Sequence, residues 1–140
     1  MITIKKQEIV KLEDVLPLYQ AVGWTNYTNQ PQMLEQSLAH SLAIYVARDG
    51  EEIVGLVRLV GDGFSSVFVQ DLIVLPSYQR QGIGSDLMKE ALADYKDAYQ
   101  IQLATEESEK TLGFYRSLGF EALSSFQCTG MILVDRKKLQ

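Results

Sequence analysis

The stretch from Val67 to Met88 constrains this chain more than any other. Val67 to Leu75 is apolar enough for a largely buried strand, and Pro76 ends it. From Ile83 a helical period takes over and runs to about Asp97: Ile83, Leu87, Ala91 and Tyr95 recur every four residues beside Met88 and Leu92, while Asp86, Lys89, Glu90 and Asp94 mark a solvated face. Between the two lies Gln79-Arg80-Gln81-Gly82-Ile83-Gly84. A strand that passes through such a turn straight into a helix exposes several unpaired backbone N–H groups on one small concave surface. The helix N-terminus adds roughly half a positive charge, Arg80 adds a full one, and Gly82 and Gly84 let an anion approach the backbone closely. A phosphate fits there; a bare strand-to-helix turn whose glycines only relieve strain is the alternative.

The rest of the chain builds a frame around that unit. Ile2 and Ile4 alternate with Thr3 and Lys5 as a first strand. Leu12, Val15, Leu16, Tyr19 and Val22 share one face of a helix stopped at Gly23, with Pro17 awkward in its interior. Trp24 to Pro31 reads as a polar and aromatic loop, followed by a helix from Pro31 to Ser41. Strands Ile44–Arg48, Ile53–Val60 and Val67–Leu75 are separated by Asp49-Gly50 and Gly61-Asp62-Gly63, hairpin signals that make an antiparallel meander. After the helix at Ile83 come a strand at Ile101–Ala104, a helix from Ser108 to Leu118 stopped by Gly119, and two closing strands at Phe120–Leu123 and Cys128–Val134. A meander joined to a strand–helix–strand unit predicts an α/β fold: a mixed, mostly antiparallel twisted sheet with helices on both faces, not doubly wound. At 140 residues, against about 100–200 per domain, one domain spanning 1–140 is expected.

Charge and composition narrow the function classes. Acidic residues outnumber basic ones by 18 to 13, with no block of Lys or Arg, so phosphate-backbone binding to nucleic acid is not expected. The negative balance mildly favours cationic partners such as amines. Cys128 is the only cysteine and His40 the only histidine, leaving little material for a disulfide, a metal site or a Ser-His-Asp triad. No apolar run approaches the ~18 residues of a membrane span. With no leader-like start, a cytoplasmic protein without membrane contact is expected.

Two common phosphate loops do not fit. A Walker loop needs Gly-Lys-Ser/Thr where this chain has Gly84-Ser85-Asp86, and a dinucleotide fingerprint needs a glycine where Leu87 stands. Gln79-Arg80-Gln81-Gly82-Ile83-Gly84 instead resembles the Gln/Arg-x-x-Gly-x-Gly/Ala signature of the GNAT superfamily of acyl-CoA-dependent N-acetyltransferases. Downstream, Phe114-Tyr115-Arg116-Ser117-Leu118-Gly119-Phe120 resembles that family's Phe-Tyr-x-x-x-Gly-Phe segment. The order of elements is similar too, so the resemblance covers nearly the whole chain.

That resemblance implies an enzyme using acetyl-CoA as cosubstrate, without metal, and assigns roles by position. The amides of Arg80, Gln81, Gly82, Ile83, Gly84 and Ser85 would cradle the pyrophosphate. The backbone of Leu72, Ile73 and Val74 would pair with the pantetheine arm, where a bulge splays this strand from Ile101–Ala104. Ser108 stands where many relatives place a cofactor-binding asparagine, and Tyr115 matches the general acid. A tyrosine with a pKa near 10 stays protonated at pH 7 and can supply a leaving thiolate. The base is less defined: Leu103 occupies one family position and cannot serve, which leaves Asp71, either a proton acceptor or a structural carboxylate, with Glu106 and Glu107 behind it. Trp24 and Tyr27 would line the acceptor pocket or, alternatively, close the core. Arg58, in mid-strand, must find a carboxylate, with Asp71 one option, or reach the cofactor or solvent. The expected reaction is direct acetylation of a primary amine on a small molecule. Protein N-terminal or lysine acetylation, a non-catalytic acyl-CoA-binding module, and a homodimer remain open.

Overall fold

A computed structural model describes residues 1–138, which divide into two compact units, Met1–Gln102 and the residues from Leu103 onward. In the first unit β1 (Ile2–Gln7), β2 (Ala43–Asp49), β3 (Glu52–Gly61) and β4 (Ser66–Val74) pair antiparallel in sequence order. The order continues to β5 (Gln100–Leu103), completing a five-stranded mixed sheet. The Asp-Gly signals hold: Asp49 pairs with Glu52 across the first turn. In the second turn Asp62 Oδ1 accepts the amides of Phe64, Ser65 and Ser66. The Ser65 hydroxyl, which donates to Asp62 Oδ2 at 2.6 Å, and those amide bonds hold the Asp62 carboxyl well below its ordinary pKa.

One face of the sheet carries α1 (Leu12–Ala21), α2 (Thr25–Thr28) and α3 (Pro31–Ala39). Val15, Leu18, Tyr19, Leu34 and Leu38 pack on Ile44, Val46, Leu56 and Ile73. Helix α1 continues through Pro17 because that residue is exposed, so the lost backbone bond lies on the solvent side. The loop expected at Trp24–Pro31 contains the short helix α2, made of residues with no strong helical signal of their own. The opposite face carries α4 (Ile83–Asp94), with Leu87, Met88 and Ala91 buried. Here Gly55 is the contact point. A Cβ on it would lie 2.9 Å from the carbonyl oxygen of Ile73 and 3.2 Å from Leu87 Cδ1, so α4 and β4 close over β3 only because that atom is missing. At its C-terminal end α4 is tied down by Tyr45, whose hydroxyl donates to Asp94 at 2.6 Å.

The second unit contains α5 (Glu109–Ser117), with Ser108 as N-cap and Gly119 at φ +100 just beyond its end. The closing strands expected at Phe120–Leu123 and Cys128–Val134 do not form. In their place Leu123–Phe126 make a 3-10 turn, Gln127 enters the left-handed region, and Met131 and Leu133 are 94% and 96% exposed. Strand-like composition needs a neighbouring edge to become a strand, and among the described residues no ladder includes this segment.

Candidate functional site

The turn between β4 and α4 has the form the glycines predict. Leu75 leads into a 3-10 turn at Pro76–Tyr78, after which Arg80 (φ +67) and Gly82 (φ +81) both adopt left-handed backbone. Gly82 is the N-cap of α4, and a Cβ there would meet nothing within 4 Å, so the surface is open. Asp86 N–H is the first amide of the helix to find a carbonyl, that of Gly82 at 2.9 Å. The amides of Arg80, Gln81, Gly82, Ile83, Gly84 and Ser85 have no intramolecular acceptor among the described residues. Six amides without an intramolecular acceptor at and just before a helix N-terminus, with an exposed arginine in the same turn, are the chemistry of an anion site.

Upstream, Leu72, Ile73 and Val74 lie in β4 opposite Val57, Leu56 and Gly55. Ile73 is buried in the core, and Leu72 and Val74 are half-buried. A bulge in β4 is registered against β3, a different place from the one expected beside Ile101–Ala104: Arg58 opposes Asp71 and Leu59 opposes Val69, so Gln70 is the extra residue in β4.

Asp71 sits beside that bulge, 3% exposed, with both oxygens engaged. Oδ2 accepts from Arg58 Nε at 2.7 Å and from the Tyr19 hydroxyl at 2.8 Å; Oδ1 accepts from the Tyr27 hydroxyl at 2.9 Å. The Arg58 guanidinium also donates to the Tyr27 hydroxyl at 3.1 Å and to Ser41 Oγ at 3.2 Å. Burial and the adjacent carboxylate both push the Tyr19 and Tyr27 hydroxyls above their ordinary pKa. Burial works against the Arg58 charge, but the Asp71 carboxylate outweighs it and raises the guanidinium pKa. This is a satisfied buried network. This geometry is that of a structural carboxylate: three accepted bonds and 3% exposure hold Asp71 inside the core.

Tyr27 belongs to the same network. It is 7% exposed, its hydroxyl is bound into the network, and its ring meets Tyr19 edge-on at 5.0 Å. It closes the core instead of lining a pocket. Trp24 is half-buried against that core, 6.0 Å from the Tyr19 ring. Tyr19 carried only a helix-face signal in the sequence; the additional clue was that a buried tyrosine needs a partner for its hydroxyl.

In the second unit, Tyr115 packs edge-on against Phe114 at 5.0 Å and Phe120 at 6.0 Å. Burial raises its pKa, which keeps the proton on. Ser108 caps α5 by accepting from Thr111 N–H at 3.2 Å, and its own proton goes to Thr111 Oγ1 at 2.8 Å. Its hydroxyl proton is therefore already committed within α5. Glu106 accepts from Thr111 Oγ1 at 3.2 Å. Among the described residues no group of three or more His, Cys, Asp or Glu could hold a metal ion, and no helix is long and apolar enough to cross a membrane.

Comparison with known proteins places this geometry in context. Residues 40–122 match a family model described as the acetyltransferase (GNAT) domain. A solved GNAT-family acetyltransferase from Streptococcus pneumoniae TIGR4 is 76% identical, with a TM-score of 0.90 over 97% of this chain and 99% of that one. Among curated proteins, serotonin N-acetyltransferase 2 of Oryza sativa is 30% identical over 65% of this chain and 48% of its own length. GCN5-related N-acetyltransferase 1 of Arabidopsis thaliana is 28% identical over 81% of this chain and 57% of its own. The chain thus spans about half the length of these curated relatives.

Proposed function

Because the chain belongs to the GNAT acetyltransferase family, we propose that it transfers the acetyl group of acetyl-CoA directly to a primary amine on a small molecule. The observation that carries this reading is the run of unpaired amides from Arg80 to Ser85 on an open, glycine-lined helix start. Coenzyme A supplies a pyrophosphate for that cradle and a thioester as the activated acyl donor.

The reaction joins the amine nitrogen to the thioester carbonyl carbon and breaks the carbon–sulfur bond. Tyr115, matched by motif to the family acid, gives its proton to the departing thiolate; burial raises its pKa, so the proton is present throughout the neutral range. An alkylamine of pKa near 10.4 is only about one part in two thousand neutral at pH 7, so a proton must leave the nitrogen. With both Asp71 oxygens already accepting bonds, water takes that proton. The serotonin-acetylating relative supports an amine acceptor, and the chain's excess of acidic residues favours a cation.

The test is thiol release from acetyl-CoA with a panel of polyamines, arylalkylamines, aminoglycosides and peptides. Turnover confined to small amines supports the proposal, and turnover confined to peptides replaces it with protein acetylation. Acetyl-CoA binding by calorimetry with no turnover on any acceptor would reassign the chain as a binding module.

A further inference from the structure

Two left-handed residues in a turn of open amides must be held by something. Glycine adopts that backbone freely, whereas a non-glycine residue such as Arg80 does so at a cost of order ~1–3 kcal/mol and persists only where its surroundings fix it. The six N–H groups of the turn receive no internal acceptor among the described residues. The restraint therefore comes from the flanks.

On the helix side, Ile83 and Leu87 are buried over Gly55. On the strand side two adjacent side chains anchor the entry. Gln79 Nε2 donates to the carbonyl of Val74, the last residue of β4, at 3.1 Å. Tyr78 reaches much further: its hydroxyl donates to Asp49 Oδ2 at 2.7 Å, with Glu52 Oε1 at 3.3 Å, and these carboxylates stand at the two ends of the β2–β3 turn. A phenol donating to a carboxylate at that distance is a charge-assisted bond.

We infer that Tyr78 is a positioning residue for donor binding: it ties the entry of the amide cradle to the β2–β3 turn through Asp49, holding Arg80 and Gly82 in the backbone that points the N–H groups at the phosphates. This deepens the acetyltransferase reading and rests on it. Tyr78 touches no reacting atom. Its effect is transmitted through the turn, so it acts on phosphate recognition and leaves the chemical step alone.

The experiment compares two donors. S-acetylpantetheine carries the same thioester and arm as acetyl-CoA and no phosphate, so it does not use the cradle. Tyr78→Phe keeps the ring and removes the bond. The expected result is a roughly tenfold rise in KM for acetyl-CoA, the scale of one charge-assisted hydrogen bond. At saturating acetyl-CoA, kcat should stay within about twofold, and kcat/KM for S-acetylpantetheine should not change. A variant with Ala at both 49 and 52, lacking both acceptors, should match Tyr78→Phe, and adding Tyr78→Phe to it should do nothing more. Equal losses with the two donors, or no loss with either, overturn the assignment. A wild-type protein that binds no acetyl-CoA by calorimetry overturns the acetyltransferase reading and this inference together, whereas normal wild-type binding with an indifferent Tyr78→Phe overturns the inference alone.

Discussion

Arg58 and Asp71 face each other across β3 and β4, Nε to Oδ2 at 2.7 Å, at the pair where the ladder slips by one residue around Gln70. A bulge alone leaves local geometry loose; here a buried ion pair with two tyrosines on the same carboxylate determines it. Asp71→Asn should therefore act on stability first. Removing the charge leaves the Arg58 guanidinium buried without its counter-ion, a loss of about 3–5 kcal/mol that urea unfolding would measure. Per folded molecule, turnover should fall by less than about tenfold, and the acidic limb of the pH–rate profile should remain. A hundredfold loss of turnover with stability intact would restore Asp71 as the base.

Gly84→Asp should abolish acetyl-CoA binding in calorimetry with the circular dichroism unchanged. The substitution sets a carboxylate among the unpaired amides at the start of α4, where it competes with and repels the phosphates. Unaltered affinity would remove the donor site from this turn.

Tyr115→Phe retains the ring packed between Phe114 and Phe120, so thermal stability should change little. Turnover should drop by roughly 10²-fold, the usual scale for a lost general acid, when measured under conditions where chemistry limits the rate. A Phe variant as fast as wild type would make Tyr115 a packing residue.

At high pH the buried phenols make a distinct prediction. Burial raises the pKa of Tyr19 and Tyr45 well above the ordinary value, helped by hydrogen bonds to Asp71 and Asp94. In the unfolded chain both ionise near pH 10, while in the folded chain they stay neutral. Their stabilising contribution is thus complete below pH 10 and is lost as pH rises from there toward the folded pKa values. The expected outcome is a melting temperature that falls steadily above pH 10, with the 295 nm phenolate signal of these two rings appearing only on unfolding. Full ionisation of every tyrosine with the fold intact would contradict the burial.

The parts of this architecture legible in the sequence are those with local causes. The hairpins follow from Asp49-Gly50 and Gly61-Asp62-Gly63, α4 from its four-residue repeat, and the cradle from Gly82 and Gly84 between a strand and a helix. What depends on distant partners was not legible. Tyr27 in a polar loop looks like a ligand-facing aromatic until β3 and β4 bring Arg58 and Asp71 to its hydroxyl. Cys128–Val134 has the residues of a strand, but whether it becomes one is decided by an edge elsewhere. Tyr78 stood one residue before the Gln79–Gly84 motif and gave no sign of Asp49, 29 residues away.

The absent side chain of Gly55 works as a spacer gauge. It sets how low α4 rides on the sheet, and because the turn of open amides leads directly into that helix, it also sets the height of those amides above β4. A single added carbon at 55 would raise the helix like a shim under a bearing. The open amides would move with the helix, so the reach of the turn is machined into a residue of β3 that lies outside the turn.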